Sequence, residues 1–241
     1  MRLFIIPHAG GSPSAFSGWE QFFPVHVQLQ ALAIPGRSKN YADPVDMNVQ
    51  QMAKDLVRKV IGDLSPGEVY ALLGHSLGAL LAFEMASLIG STGFSPPTCV
   101  IVCGHRAPDL PMSRDEIHTL PDREFDVAIA SLGGIPSELS SCPEFLDLIR
   151  STLRRDVRAA ETYIPSSLKP IDCALYAFGG AEDFDLTFEE LDRWRRFTTG
   201  RFELRWFDGD HFFLHQRPRE FSAVLQKLLI TSSAQHRKPR A

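Results

Sequence analysis

Short apolar runs recur along the chain at 2–7, 27–34, 68–73, 98–103, 171–178 and 202–207, and most are continuous instead of alternating. A strand with one solvated face alternates apolar and polar residues, whereas a strand covered on both faces does not. These runs therefore predict a mostly parallel sheet buried on both sides. Between them the period changes. Val49, Met52, Ala53, Leu56, Val57 and Val60 fall at i, i+3, i+4, i+7, i+8 and i+11, one face of a helix, which Gly62 is expected to close. A second helical stretch covers 79–88, and 221–229 reads as a closing amphipathic helix. Strand and helix alternating through short links predict right-handed crossovers and an open, doubly wound sheet of the α/β class.

The rhythm breaks between 104 and 165, where helical patterns and prolines follow a strand without a new strand appearing. Leu120-Pro121-Asp122 predicts a helix to about Leu132, closed by Gly133-Gly134, and Pro143 predicts another through Tyr163. This is read as an insertion at about 107–164, positioned to act as a lid, although some of its apolar face must also complete the core. Its arginines at 114, 123, 150, 154, 155 and 158 have two readings, a docking surface for an acidic partner or ordinary helix positions paired with nearby acids.

Composition narrows the class. With 241 residues, 44% of them hydrophobic and 22% charged, the chain is expected to form one domain over 1–230. Residues 231–241, basic and lacking large apolar side chains, are expected to be a disordered tail. A net charge of −4 gives no reason to expect a nucleic-acid partner, and no 18-residue apolar stretch suggests a membrane span. The chain opens on strand-like Arg2-Leu3-Phe4-Ile5-Ile6 with no signal-peptide pattern, so a cytoplasmic monomer is expected. Cys99, Cys103, Cys142 and Cys173 form no C-x-x-C pair; the three in apolar runs are expected to be buried, reduced thiols. No histidines pair as H-E-x-x-H, so no metal and no cofactor are expected.

The candidate chemistry lies at strand ends. Gly74-His75-Ser76-Leu77-Gly78 joins the run 69–73 to a helix, the setting of a nucleophile elbow; the bland alternative is an ordinary glycine-rich turn. The turn must be tight enough to lift Ser76 above the sheet, so a side chain at either flanking position would collide with strand or helix. Pro7-His8-Ala9-Gly10-Gly11-Ser12 follows the first strand, and an oxyanion hole is expected from the backbone N–H groups of Ala9 and Leu77. His8, Gly10, His75 and Phe212 are candidate substrate contacts, and His8 reads equally well as a structural residue. An acidic loop carrying Glu182, Asp183 and Asp185 ends a later strand, and Asp210-His211 follows the last. The order Ser, Asp, His is that of α/β-hydrolases. The residues leave the choice among the three acids open, with Asp172 and Asp210 read as turn residues.

Taken together, Pro7-His8-Ala9-Gly10-Gly11-Ser12, Ile34-Pro35-Gly36-Arg37, Gly74-His75-Ser76-Leu77-Gly78-Ala79, Gly104-His105-Arg106-Ala107-Pro108, Glu161-Thr162-Tyr163, Phe178-Gly179-Gly180 with Asp183, and Gly209-Asp210-His211-Phe212-Phe213-Leu214 resemble the type II thioesterases of nonribosomal peptide and polyketide synthases. The resemblance runs to about residue 230. It implies an α/β-hydrolase with a helical lid that removes acyl groups from the phosphopantetheine arm of acyl or peptidyl carrier proteins, clearing stalled or mis-primed chains. It also implies a triad of Ser76, Asp183 and His211, Asp183 being chosen by the spacing Gly180-x-x-Asp183. A carboxylesterase or acyltransferase on the same fold, or a binding protein that kept the pocket, are the alternatives.

Overall fold

The computed structural model describes residues 1–36, 46–112, 115–133 and 142–236. Strands β1 (Arg2–Ile6), β2 (Gln28–Ala31), β3 (Tyr70–His75), β4 (Cys99–Cys103), β5 (Ala174–Gly180) and β6 (Phe202–Phe207) fall on the six apolar runs, with β3 and β5 each extending two residues past the end of theirs. They form one sheet in the order β2-β1-β3-β4-β5-β6 with every neighbouring pair parallel. Successive side chains explain the continuous hydrophobicity. Phe4 and Ile6 pack with Val49, Met52, Leu80 and Phe83 on one face, while Leu3 and Ile5 pack with Phe16, Trp19, Phe221 and Leu225 on the other.

Helix α1 (Val49–Asp63) starts with a capping box, in which Asn48 and Gln51 exchange side-chain-to-backbone hydrogen bonds. It does not close at Gly62. That glycine lies inside the helix, and the cap is Leu64, in extended conformation. The stop comes from Pro66, which holds the residue before it away from helical geometry and cannot itself donate to the ladder. Helix α2 (Leu77–Thr92) is buried on nearly every side, because α1, the sheet and the insertion all pack on it.

The insertion contains α3 (Asp122–Ser131) and α4 (Pro143–Glu161). Leu132 caps α3 and Gly133 follows at φ +77°, as expected for a helix end; Gly134 lies outside the described residues. Phe125, Ile129, Leu153 and Val157 give the insertion a small core of its own, while Ala159, Ala160 and Tyr163 join the main core. Buried polar groups fasten it. Glu84 of α2 accepts from the Tyr163 hydroxyl at 2.7 Å and from the Ser166 N–H at 2.8 Å, and Glu161 accepts from the N–H groups of Ile117 and His118 at 3.1 and 3.0 Å.

The insertion's arginines serve mostly internal ties. Arg150 grips Asp126 through two bonds of 3.0 and 2.7 Å, and Arg154 reaches Asp122 at 2.8 Å while lying over the Phe125 ring. Arg155 is buried against Asp156, and Arg158 meets Asp46 at 2.6 Å. Arg123 is exposed; Arg114, like Arg37, lies outside the described residues.

After the short helices α5 (Phe188–Asp192) and α6 (Phe213–Gln216), helix α7 (Pro218–His236) closes the chain. It runs past residue 230, where an irregular tail was expected. The reason is Ser232, only 2% exposed, whose hydroxyl lies 2.8 Å from that of Tyr176 on β5, so a polar position carries the helix onto the sheet. Residues 237–241 lie outside the described residues.

Because a Cβ at Gly62 would meet nothing within 4 Å, Gly62→Ala should stabilise the protein by about 0.5–1 kcal/mol. The check is a higher urea midpoint at unchanged slope; a lower midpoint would return Gly62 to the role of helix terminator.

Candidate active site

The sheet order reverses around β1, since β2 lies on one side of it and β3 on the other. In open α/β sheets the crevice at such a reversal, beyond the carboxyl ends of the strands, is where ligands bind. The loop after β1 and the turn after β3 meet there. Between the last residue of β3, His75, and the first of α2, Leu77, stands only Ser76, with φ 56° and ψ −118°. It is the only non-glycine with positive φ among the described residues. Such a conformation costs on the order of 1–3 kcal/mol and persists only where its surroundings enforce it. Here Ser76 N–H donates to Cys103 O at 2.8 Å. A Cβ on Gly74 would lie 1.8 Å from Gly78 O, and one on Gly78 would lie 2.2 Å from Ile6 O. Both obstacles are backbone and cannot yield, so the turn requires both glycines.

The loops after β5 and β6 bring a carboxylate and an imidazole together. Asp183 is buried, and its Oδ2 lies 2.7 Å from His211 Nδ1. Its Oδ1 accepts from the Asp185 N–H at 3.1 Å, so both oxygens are held. Glu182 is exposed, and Asp185 instead faces Arg106 at 3.8 Å. Asp172 accepts from Thr199 at the opposite, amino end of the sheet, and Asp210 accepts from the Phe212 N–H at 2.7 Å within its turn. On the other side of His211, His75 Nε2 lies 2.8 Å from the His211 carbonyl oxygen; a carbonyl only accepts, so this nitrogen carries the proton.

Arg106 was not singled out as a site residue from the sequence, yet it braces the acid loop. Its buried guanidinium donates to Asp185 O at 2.8 Å and Pro111 O at 3.0 Å and pairs with Glu190 at 3.1 Å. The available signal was an arginine three residues after a wholly apolar strand, where an unpaired charge is costly.

Ser76, Asp183 and His211 line one cavity of about 100 Å³, together with His8, Ala9 and Phe212. Ile129, Leu132, Leu153 and Val157 of the insertion form its apolar wall. Two of the four expected substrate contacts, Gly10 and His75, are not among the described lining residues. Gly10 turns its N–H to Asp156 Oδ2 of α4 at 2.9 Å, and His75 is fully buried behind the serine. His8 combines both of its readings: it lines the cavity and also packs edge-on against Phe212, with ring centroids 4.9 Å apart. Leu77 is buried at the start of α2, where the first N–H groups of the helix have no partner within it.

Burial sets the ionisation here. It holds His75 well below the ordinary histidine range, helped by neighbouring His211, His8 and His215, and lowers His105 and His215 to about 4. It pushes Cys99 up to about 12 and also raises Cys103 and Cys173, which keeps these buried thiols protonated. No helix among the described residues is long and apolar enough to cross a membrane.

Residues 1–229 match the model of the Thioesterase domain. The chain is 34% identical over 231 residues to the gramicidin S biosynthesis protein GrsT of Aneurinibacillus migulanus, covering 95% of this chain and 89% of the relative. Among solved structures it resembles the RedJ thioesterase of the prodiginine pathway in Streptomyces coelicolor, with 34% identity, a TM-score of 0.86 and coverage of 94% and 89% of the two chains. It likewise resembles YbtT, a type II thioesterase of the yersiniabactin pathway, with 29% identity, a TM-score of 0.84 and coverage of 96% and 93%. The doubly wound parallel sheet is thus that of the α/β-hydrolases.

The buried neutral histidines predict an acid-labile fold. Their folded-state pKa values lie below the unfolded value near 6.5, so their stabilisation is complete above that pH and is lost as pH falls toward 4. Unfolding free energy from urea titrations should decline across this window, by at most about 1.4 kcal/mol per pH unit for each such histidine. A curve flat from pH 7 to 5 would contradict their neutrality.

Proposed function

Because the chain belongs to the thioesterase family, we propose that it hydrolyses acyl groups from the phosphopantetheine arm of synthase carrier proteins, clearing stalled or mis-primed chains. The observation that carries this reading is the 2.7 Å contact of Asp183 with His211 in the same cavity as the strained Ser76. The biosynthetic setting is drawn from GrsT, RedJ and YbtT.

In this mechanism Ser76 Oγ attacks the thioester carbonyl while His211 Nε2 takes its proton. Asp183, bonded to Nδ1, holds the productive tautomer and stabilises the imidazolium. The oxyanion is received by the N–H groups of Ala9 and Leu77, the first on the cavity wall and the second at the start of α2. Collapse of the tetrahedral intermediate breaks the carbon–sulfur bond, and His211 returns the proton to the departing thiol. A water activated by His211 then hydrolyses the acyl-serine. The enzyme itself supplies no cofactor, since the phosphopantetheine belongs to its partner. The insertion acts as a lid, its apolar wall receiving the acyl chain. We place the enzyme in the cytoplasm, as a monomer beside its synthase.

Ser76→Ala and His211→Ala should each lower hydrolysis of an acyl-carrier protein by about 10³-fold or more. Asp183→Asn should cost far more than Asp185→Asn, and a fluorophosphonate should label Ser76 alone. Turnover of Ser76→Ala near that of the unmodified enzyme would end this reading.

Arg150→Glu offers a separate check on the insertion. Its bonds to Asp126 hold α3 to α4, so the change should impair hydrolysis of carrier-bound and carrier-free thioesters alike. Loss confined to the carrier-bound substrate would instead make Arg150 a docking residue.

A further inference from the structure

We propose that His8, His75 and His215 form a binding site for a borderline transition-metal ion such as Zn²⁺, packed behind Ser76. Each offers a ring nitrogen, and these nitrogens lie within 4.8 Å of one another. Ring centroids are 5.2 Å apart for His8 and His75, 5.8 Å for His75 and His215, and 6.1 Å for His8 and His215. Imidazoles bound about 2.0–2.1 Å from a tetrahedral ion hold their centroids roughly 5 Å apart. The rings therefore already stand near that spacing, and modest side-chain rotation brings the nitrogens inward.

Two of these nitrogens are chemically poised for a ligand. His75 Nδ1 and His215 Nε2 are buried with no hydrogen-bond partner among the described residues. A buried polar atom left so carries an uncompensated desolvation cost, which calls for an occupant. The tautomer of His75 is set by its other nitrogen. Nε2–H donates to the His211 carbonyl at 2.8 Å, leaving the lone pair on Nδ1, the arrangement by which metal-bound histidines are oriented through a backbone carbonyl.

The three residues come from different parts of the fold: the loop after β1, the end of β3, and α6. No sequence spacing links them. An apolar shell closes around them, with Phe212 against His8 and His75 and with Phe16 and Trp19 against His215. A site of imidazoles without carboxylates favours zinc, copper or nickel over magnesium or calcium.

The test is titration of the chelator-treated, full-length protein with Zn²⁺ by calorimetry, and with Co²⁺ by visible absorption. One ion per chain should bind with a Kd of about 10 μM or tighter, Co²⁺ should give the absorption of a tetrahedral nitrogen site, and Zn²⁺ should raise the Tm. His215→Phe keeps the packing and removes a ligand. His75→Gln keeps a donor for the His211 carbonyl and removes the Nδ1 lone pair. Each should weaken binding by tenfold or more and abolish the Tm shift, and the two variants guard against either one failing to fold. Absence of binding by the unmodified protein, or equal affinity in a folded variant, would overturn the site. Neither readout depends on thioester hydrolysis, so failure here is distinct from failure of the proposed activity.

Discussion

The close approach of β1 to the start of α2 is the constraint on which the site depends. Gly78 leaves the Ile6 carbonyl no room for a side chain, and Gly74 does the same for the Gly78 carbonyl. One residue, Ser76, must therefore turn the chain from strand to helix in a conformation that few residues adopt. The same approach brings the loop after β1 beside Ser76, so the proposed nucleophile and the proposed oxyanion donors share one packing contact. The strain is held by buried neighbours, including the Cys103 carbonyl that receives the Ser76 N–H.

Around this turn, polar groups with full partners bind the other elements. Arg106 ties the end of β4 to the acid loop, Glu84 ties α2 to the end of the insertion, and Asp156 ties α4 to Gly10 beside the expected oxyanion donor. A buried charged group must be satisfied, and breaking one partner leaves an uncompensated cost. These contacts make the insertion part of the site's framework. Arg150, Arg154, Arg155 and Arg158 of the insertion likewise pair with acids of their own chain.

A second consequence is the cluster of His8, His75 and His215 beneath the serine. His75 is inside the elbow motif, yet its ring is turned away from the cavity and holds the carbonyl of His211. The residue before Ser76 thus reaches His211 through its backbone carbonyl, while the rings of His8 and His215 also stand beside that of His75. The low proton affinity of His75 and His215 follows from exclusion of water, the same exclusion that strengthens the Asp183 contact with His211.

Local pattern was enough to read the six strands, the main helices and the elbow, because unbroken apolar runs and i, i+3, i+4 spacing record which faces are buried. It misread the end of α1, where Pro66 and not Gly62 supplies the stop, and it ended α7 too early, because Ser232 is buried through a hydrogen bond to a distant tyrosine. The motifs also carried the family, since they lie at strand ends in a characteristic order. Residue types alone left three acids open, and the tertiary structure puts Asp183 on His211 while Asp185 faces Arg106. The Arg106 brace, the separation of Gly10 and His75 from the cavity wall, and the meeting of His8, His75 and His215 were likewise decided by the fold. Each depends on groups far apart in the chain, whose distances are set by strand order and packing and leave no periodic trace in the sequence.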